Sequence, residues 1–525
     1  MNLVSERGGH RRGSAMALTL ITLAFVALLA CASRAQAAEL IYWNNYGATP
    51  QSISVANIDG SGGGALNLTG TVLEGPEGMA IDTVTNRLFV VSSSGGLGDK
   101  GEILAVNLDG SGASVFTAPG APVDEPYGVV VDPATRMIYW ANDGKGEGNN
   151  GSIAWAKLDG SAGGALNTAG ATLVDPYKIG LDPVNGRVYW GNHPEGGDIS
   201  ISYANVNNTG GGDLPLSSVP SSAFAFAVDP AAGRLYWSEG GQDRFAYTGL
   251  LGGNVSILDT TGAFVDVSYG FAIDPVLNKI YWPNYANDEN RVNGLGFANL
   301  SGGNGGNITP QTAPFAGPQD LLVLKSPTGT GAPAITRPAK DRSHLTCSTG
   351  SWAADFAGSF VYQAPHSLAY QWTRNGAAIG GATAATLAVK SPGSYACTVT
   401  ATNQAGVAAQ TSAAAKVKAA KVKLVVKKKV KARPGQVVAF KVRAKNQGDL
   451  KSKKAKICVK LPKSAKGELT VKGPKCKPLG KVKAKGKKAA SLKVKAGSDA
   501  EGIYQLKFQV KGSPGKAAKS KIVVR

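Results

Sequence analysis

Residues 132–140 read Asp-Pro-Ala-Thr-Arg-Met-Ile-Tyr-Trp, and variants of this phrase recur along the chain. Each full copy has an aspartate, a turn rich in Pro, Asn or Gly, a basic residue and an apolar segment ending in aromatics or valine. The aromatic position falls at 42, 89, 139, 189, 236 and 281, with spacings of 47, 50, 50, 47 and 45 residues. A fixed period of this length, filled with strand and turn residues, predicts a β-propeller or a similar array.

Each period predicts four short strands. An apolar run ending in aspartate, such as 127–132, is the first strand, and the Tyr-Trp segment is the second. The third strand ends in a turn of the Leu-Asp-Gly type, and a fourth apolar strand such as 171–174 follows. Val, Ile, Tyr and Trp bounded by Gly, Asp and Pro are typical of strands and turns.

The two ends of the repeat region are complementary. The first period begins with Tyr42 and Trp43 and lacks the apolar strand that precedes this pair elsewhere. That strand stands at the other end, in residues 317–324, without a Tyr-Trp after it. One blade built from both ends would close a ring and hide the sheet edges. The sequence therefore predicts an all-β fold with a six-bladed β-propeller over residues 38–325.

The repeated phrase resembles the six-bladed YWTD propeller, the class B repeat of low-density-lipoprotein-receptor-type proteins. The resemblance covers about 285 residues and rests on the Gly-Arg-Leu-Tyr-Trp and Leu-Asp-Gly-Ser elements. The Thr-Asp half of that family's motif is replaced here, for example by Asn44 and Asn45. The resemblance implies the propeller, whereas the receptor role and ligand surface of the family depend on residues that differ.

The N-terminal segment predicts export. Three arginines precede an apolar run over 15–32, and the small-x-small motif of residues 35–37 follows. This pattern indicates a secretory signal peptide over residues 1–37, in preference to a retained membrane helix. Cys31 lies in a sequence that resembles a bacterial lipobox, so lipidation is an alternative to plain secretion. No later stretch is apolar and long enough to span a bilayer.

Six residues, one per blade, stand five positions before the end of the innermost predicted strand. They are Glu77, Tyr127, Tyr177, Phe224, Tyr269 and Gln319. By resemblance to known propellers this position lies close to one mouth of the central channel. Four aromatic rings there could stack on a sugar or grip a peptide. Alternatively, the rings pack between blades as core.

The loops after the Tyr-Trp pairs should lie on the same face as these six residues. They supply four further candidates for ligand binding, which are Asn142, Asn192, His193 and Glu239. The aspartate and basic residue of each phrase, such as Asp132 and Arg136, are interpreted differently. A catalytic group is needed once, whereas a turn or ion pair is needed in every blade, so these pairs are predicted to be structural.

The propeller is predicted to bind without catalysis. His193 is the sole histidine of the repeat region, and no nucleophile–base or phosphate-loop motif occurs. The alternative is a lactonase-type or lyase-type enzyme with Ca²⁺ held near the channel. Glu77, Asn142, Asn192 and Glu239 are its candidate ligands. No metal ligand or catalytic residue is assigned on the preferred interpretation.

Residues 326–333 have the composition of a linker. Beyond it, a cysteine, a central Trp372 and a Tyr-x-Cys motif over 395–397 resemble an immunoglobulin-like module, here assigned to residues 334–417. The resemblance implies a disulfide between Cys347 and Cys397 that packs on the tryptophan.

Residues 421–525 alternate apolar and basic side chains, which predicts strands with one buried face and one lysine face. Their sequence resembles that of a CARDB/DUF11-type β-sandwich of bacterial envelope proteins, and the resemblance implies a disulfide between Cys458 and Cys476. Two such bridges suit an oxidising compartment.

The charge of the chain is concentrated at its end. Residues 416–525 hold 35 of the 56 Lys and Arg but only 4 of the 35 Asp and Glu, a net of +31, which leaves a net of −10 for the rest. This field predicts attachment to an anionic envelope polymer such as teichoic acid or lipopolysaccharide. The export signal makes nucleic acid an unlikely partner. A solvated lysine surface that aids solubility, in a chain that acts only as a surface spacer, is the remaining alternative.

Overall fold

The computed structural model describes residues 39–68, 70–96, 99–144, 151–195, 197–285, 294–339 and 342–525. The predicted signal peptide and Cys31 lie outside these residues. The fold is all-β, and the described residues include three short 3₁₀ helices, Gly240–Gln242, Ala357–Ser359 and Lys463–Ala465. Within the described ranges, no helix has the length and apolar character needed to cross a membrane.

The described part of residues 39–325 forms six blades, each a four-stranded antiparallel sheet. From blade 1 to blade 6 the first strands are Leu321–Lys325, Pro76–Asp82, Pro126–Asp132, Ile179–Asp182, Phe226–Asp229 and Ala272–Asp274. The second strands are Glu39–Asn45, Arg87–Ser92, Met137–Asn142, Arg187–Asn192, Arg234–Glu239 and Lys279–Pro283. The third strands are Ser52–Asn57, Glu102–Asn107, Ser152–Lys157, Ser200–Asn205, Arg244–Gly249 and Leu295–Asn299. The fourth strands are Gly64–Ala65, Ser114–Val115, Gly163–Ala165, Gly211–Asp213, Gly252–Ile257 and Gly306–Ile308.

The first strands of neighbouring blades contact one another, so they are the innermost strands and line the channel. Blade 1 joins the two ends of the region, because Glu39–Asn45 pairs antiparallel with Leu321–Lys325 and Tyr42 lies opposite Leu322. Asn44 strengthens this closure, since its amide oxygen accepts the backbone N–H groups of Gln319 and Asp320. The predicted six-bladed ring is confirmed.

The tryptophan of the Tyr-Trp pair explains why the phrase recurs. The five tryptophans at this position are buried in the blades. In blades 3, 4 and 6 the indole N–H donates to a backbone carbonyl 18 residues earlier, for example from Trp140 to Pro122 at 2.9 Å. A buried indole needs such an acceptor, and here the bond ties each second strand to the segment that leads into its blade.

The aspartate of the phrase closes a turn. Asp132 Oδ1 accepts the backbone N–H of Ala134 at 3.0 Å, and Asp132 Oδ2 accepts the hydroxyl of Thr135 at 2.7 Å. Blades 2, 4, 5 and 6 repeat the bond from the residue two positions on. Arg136 forms its ion pair with Asp82 of the preceding blade, at 2.5 Å. Arg136 therefore joins two blades rather than closing its own turn.

The chain divides into two compact units, and the division does not follow the order of the sequence. The first unit comprises the chain up to Thr328 together with Trp352–Ser367 and Ala401–Ala408. The second unit comprises Gly329–Ser351, Leu368–Thr400 and Ala409–Arg525. Two pieces of the predicted immunoglobulin-like module thus belong to the same unit as the propeller.

The module after the propeller has two small sheets linked by a disulfide. Its strands are Ile335–Thr336, His344–Cys347 and Thr386–Ala388 in one sheet, and Ser367–Arg374, Ala377–Ala378, Gly393–Asn403, Gly406–Thr411 and Ala415–Val417 in the other. Short strands also occur at Gly329–Gly331, Ser351–Trp352 and Val361–Tyr362. Cys347 bonds to Cys397, the buried Trp372 lies on the second sheet, and the Tyr395 hydroxyl donates to the Ser391 carbonyl at 2.7 Å.

The C-terminal module is a sandwich of two five-stranded sheets. The first sheet contains Leu469–Lys472, Lys487–Ala496, Val437–Asn446, Val422–Val425 and Gly515–Lys516, in that order. The second contains Lys429–Ala432, Ala518–Val524, Gly502–Lys511, Ala455–Lys460 and Cys476–Gly480. Apolar side chains of both sheets form the core, where the Phe440 and Phe508 rings lie 5.5 Å apart. Cys458 bonds to Cys476, so both predicted disulfides are present.

Candidate functional site

Four aromatic side chains from four blades meet at one mouth of the channel. The rings of Tyr127 and Tyr177 stack with centroids 4.3 Å apart, and Phe224 lies 5.5 Å from Tyr177. Tyr269 contacts both Phe224, at 5.2 Å, and Tyr177, at 5.8 Å. Each of the four side chains is half-buried. These side chains contact one another, and we call them the aromatic cluster.

Two further rings extend the cluster outward. His193 stacks on Phe224 with an interplanar angle of 5° and a centroid distance of 4.8 Å, and its Nε2 accepts the backbone N–H of Ala223. Tyr285, in the loop after the blade 6 Tyr-Trp pair, packs edge-on against Tyr269 at 5.6 Å. Burial raises the pKa of the Tyr177 hydroxyl well above its usual range, and the nearby Glu77 carboxylate adds to this shift. The hydroxyl therefore stays protonated and can donate a hydrogen bond.

A buried group of charges lies next to the aromatic cluster. Lys178 is 4% exposed, and its Nζ donates to the backbone carbonyls of Glu77 at 2.7 Å and Tyr127 at 3.0 Å. The Nζ atom also lies 3.7 Å from Glu77 Oε2. Asp320 is buried too, and its carboxylate accepts the backbone N–H of Met79. We call Glu77, Lys178 and Asp320 the buried charge group.

The geometry of the ring explains how these charges meet. Lys178 and Asp320 occupy the same position in blades 4 and 1, which face each other across a six-bladed ring. Glycine holds that position in blades 2, 3 and 6, as Gly78, Gly128 and Gly270. A Cβ at Gly270 would lie 2.2 Å from Asp320 Oδ1, so glycine makes room for the carboxylate. The narrow channel accepts two opposite charges because the other blades carry small residues there.

Burial shifts the protonation of this group. Loss of water raises the pKa of Glu77 to about 7, although the Lys178 ammonium acts in the opposite direction. The same balance raises the pKa of Asp320 to about 7. Burial lowers the pKa of Lys178, and both carboxylates oppose that change. The group is therefore an ion pair whose charge is sensitive to pH near neutrality.

Gln319 completes the residues at this level of the mouth. Its side chain is 5% exposed, and Oε1 has no hydrogen-bond partner among the described residues. A buried acceptor without a partner is costly unless water or a ligand satisfies it. Six candidates, Glu77 and Gln319 with the four aromatics, thus stand at one end of the channel, as their common position in the blades predicts.

The polar residues two positions after tryptophan lie inside their blades. Asn192 Oδ1 accepts the backbone N–H of Val174, and its amide donates to Ser200 and Ser202. Asn142 makes the equivalent bonds to Asp124 and Ser152. The Glu239 carboxylate lies 2.7 Å from Arg244 Nε. All three are at most 2% exposed, so the structure gives them a role in holding their blades together.

The opposite mouth is filled by the chain itself. We call residues 352–367 the plug. Its Ser359 hydroxyl donates to the carbonyl of Val228 at 2.5 Å, and its Asp355 accepts the hydroxyl of Thr83. The strand Val361–Tyr362 runs parallel to the innermost strand of blade 1. Phe360 borders the same small space as Lys178 and Asp320, so the plug reaches the buried charge group from the far side.

Within the described ranges, no group of three or more His, Cys, Asp or Glu is arranged to hold a metal ion. Of the four candidate Ca²⁺ ligands, Glu77 pairs with Lys178, and the other three bond within their blades.

Sequence reasoning did not single out Lys178, Asp320 or the plug. A signal for Lys178 existed, because it is a lysine in an otherwise apolar strand, at a position where three blades have glycine. The signal for Asp320 is its place next to Gln319 at the start of the closing strand.

No family model and no curated protein matches the chain. Among solved structures, TolB from Acinetobacter baumannii is similar at 15% identity with a TM-score of 0.40, over 54% of this chain and 66% of that protein. A protein assigned as a TolB from Agrobacterium tumefaciens shows 11% identity and a TM-score of 0.36, over 55% and 97% of the two chains. A protein assigned as a 6-phosphogluconolactonase from Bacteroides uniformis shows 12% identity and a TM-score of 0.34, over 59% of this chain and 89% of that protein. The YWTD and CARDB/DUF11 resemblances remain sequence-based interpretations.

Proposed function

We propose that this chain is an extracytoplasmic binding protein whose propeller recognises a glycan or peptide at the aromatic cluster. One observation carries the proposal: four half-exposed rings from four blades converge on the mouth opposite the plug. Aromatic faces bind sugar C–H groups and apolar peptide side chains, and concave sites of this kind use a few polar groups for orientation. Glu77, Gln319 and the Tyr177 hydroxyl supply such groups.

The location outside the cytoplasm is supported by two kinds of observation. Two disulfides stabilise the modules that follow the propeller, and disulfides persist in oxidising compartments. The N-terminal sequence has the pattern of a signal peptide.

The test is a glycan array and a peptide array probed with the full mature chain and with the variant Tyr269→Ala. Specific hits that the variant loses are the expected result. Absence of any hit would contradict the recognition role and favour the spacer alternative. Turnover of a panel of lactones, dependent on added Ca²⁺, would overturn the non-catalytic interpretation in favour of the enzyme alternative.

For the C-terminal module we propose attachment to an anionic envelope polymer. The lysines of its strands are exposed while the alternating apolar residues are buried, so nearly the whole net charge of +31 faces solvent. We expect retention on cell-wall material at low salt and release at about 0.5 M salt, where charges are strongly screened. Retention that does not change with salt would contradict electrostatic attachment.

A further inference from the structure

The C-terminal sandwich carries lysines on both of its outer faces. Its two sheets pack together through the apolar core, so their lysine faces point in opposite directions. Side chains that lie opposite each other on paired strands share a face. The strand registers therefore show which lysines form continuous rows on each face.

The first lysine row crosses four strands of the first sheet. Lys487 lies opposite Lys445, Lys445 lies opposite Lys423, and Lys423 lies opposite Lys516. All four side chains are exposed. Because neighbouring strands are about 4.8 Å apart, the row is a line of ammonium groups roughly 14 Å long, perpendicular to the strands.

The second lysine row crosses three strands of the second sheet. Lys460 lies opposite Lys507, and Lys507 lies opposite Lys519. These three lysines, with the exposed Lys463 beside Pro462, line a surface groove. The second face thus offers a shallow channel lined by four cations.

Among the residues that the structure describes, no acidic side chain forms a salt bridge with either row. Like charges directly opposite each other destabilise a sheet. The module from residue 416 on has only four Asp and Glu, and the buried Asp449 already pairs with Lys485, Arg337 and Arg342. Within the described part of the chain, none of the row lysines forms a salt bridge. Both rows therefore keep repelling charges that an external polyanion would neutralise.

The chemistry of the rows favours a linear phosphodiester polymer. Lysine is a point charge that attracts phosphate without demanding a fixed bidentate geometry. The aromatic residues Phe440, Tyr504 and Phe508 are buried in the module, so they provide no surface on which nucleic-acid bases could stack. An evenly charged backbone lying along each row fits these features.

We propose that the C-terminal module binds two strands of a linear phosphodiester polymer without bases, one on each lysine row, and so cross-links them. The inference rests on the proposed attachment of this module to an anionic polymer. Attachment requires one row, whereas cross-linking requires both. The two ideas can therefore fail separately.

The experiment uses the full mature chain and poly(glycerol phosphate). Biotinylated polymer is fixed on a surface, protein is bound, and fluorescent polymer is then added in solution. Protein retained on the surface measures attachment, and captured fluorescence measures cross-linking. Light scattering establishes that one chain, rather than an oligomer, is present under the same conditions.

Two variants each remove one row. They are K423Q/K445Q/K487Q/K516Q for the first row and K460Q/K463Q/K507Q/K519Q for the second. The matched control K451Q/K454Q/K475Q/K481Q removes the same charge from exposed lysines outside the rows. Circular dichroism and thermal unfolding establish that all three variants fold.

We expect each row variant to keep the amount of protein retained on the surface within about threefold of the unchanged chain. The fluorescent polymer that each row variant captures should fall at least about tenfold, while capture by the control should fall by less than about threefold. A row variant that captures polymer like the unchanged chain would overturn the proposal, as would a control that loses capture equally. Loss of attachment in the unchanged chain would contradict the proposed function itself. Capture of double-stranded DNA but not of poly(glycerol phosphate) would overturn the partner class.

Discussion

The two ends of the propeller channel are treated differently by the same chain. One end receives the plug, whose residues bond to blades 2 and 5 and extend the sheet of blade 1. The other end keeps a half-exposed aromatic cluster and a buried acceptor, Gln319 Oε1, without a partner among the described residues. The first end is covered by hydrogen-bonded residues of the plug, whereas the second presents half-exposed rings that a ligand could contact. The comparison indicates which mouth is available for recognition.

The largest expected effect comes from displacing the plug. A Cβ at Gly358 would lie 1.9 Å from the carbonyl oxygen of Leu181. This clash is with a backbone atom, so no side-chain rotation can relieve it. Gly358→Ala should lower the free energy of unfolding by about 3 kcal/mol, as overpacking does in well-packed sites. Urea denaturation measures the change, and hydrogen exchange should show lost protection over residues 352–367.

Gly380→Ala is the matched control, because a Cβ there meets nothing within 4 Å. We expect its effect to stay within about 0.5 kcal/mol. A Gly358→Ala protein with unchanged protection of residues 352–367 would show that the plug does not close this mouth.

The next largest effect should appear at the other mouth. Tyr177→Ala removes the ring that contacts Tyr127, Phe224 and Tyr269. We expect the affinity for the strongest array hit to fall between tenfold and a hundredfold, since stacking rings dominate such sites. Isothermal titration calorimetry measures this loss.

Tyr203→Ala is the matched control, because Tyr203 lies in the third strand of the same blade and packs under Arg187. It should leave affinity within about twofold. Equal losses in the two variants would mean that blade stability, rather than the mouth, governs binding.

A smaller effect concerns the pH dependence of stability. The pKa of Glu77 is raised to about 7 in the folded chain, above about 4.3 for an unfolded glutamate. The folded state therefore holds the proton over this window, and the stabilisation is present at low pH and lost as pH rises toward 7. Asp320 acts with the same sign. The unfolding free energy of the unchanged chain should fall as the pH rises toward 7. In Glu77→Gln this fall should be less steep, by up to about 1.4 kcal/mol per pH unit.

The measurement is a series of urea unfolding curves between pH 4.5 and pH 7.5, ~0.5 pH units apart, compared with the exposed control Glu195→Gln. A Glu77→Gln protein whose stability falls with pH as steeply as the control would contradict the assignment of Glu77 as a titrating member of the buried charge group.

The smallest expected effect compares one hydroxyl at each mouth. Ser359→Ala removes the bond to the Val228 carbonyl and should lower the unfolding free energy by about 1 kcal/mol. Ser222→Ala, near His193, removes a buried hydroxyl without a partner in the described residues and should be neutral within about 0.5 kcal/mol. The reverse order of these two effects would contradict the comparison of the mouths.

The propeller could be predicted because its information is periodic. The Tyr-Trp pair and the aspartate turn recur at a nearly fixed spacing, which gives the number of blades. The two ends of the region supply complementary strands of one blade, which gives the closure of the ring. The convergence of Tyr127, Tyr177, Phe224 and Tyr269 followed from the same alignment, since equal positions in equal blades lie at equal depth. Whether the rings would face each other or the blade interior depended on packing that no spacing encodes.

Some residues make contacts that differ from the roles expected from the sequence, and the reasons are physical. Asn142 and Asn192 were candidate ligands because they follow Tyr-Trp, yet their recurrence after that pair has the same meaning as the recurrent aspartate, a bond needed in every blade. Arg136 was expected to serve its own turn, but its side chain is long enough to reach Asp82 in the preceding blade. The plug could not be predicted, because Gly358 and Ser359 have no local pattern and act only through contacts with distant blades.

The pairing of Glu39–Asn45 with Leu321–Lys325 also has a consequence for biogenesis. The first strand described here must wait for a partner translated almost three hundred residues later, so the circular sheet cannot be sealed before residues 321–325 have been synthesised. The plug is made later still, so its residues become available only after the strand that seals the ring has been synthesised.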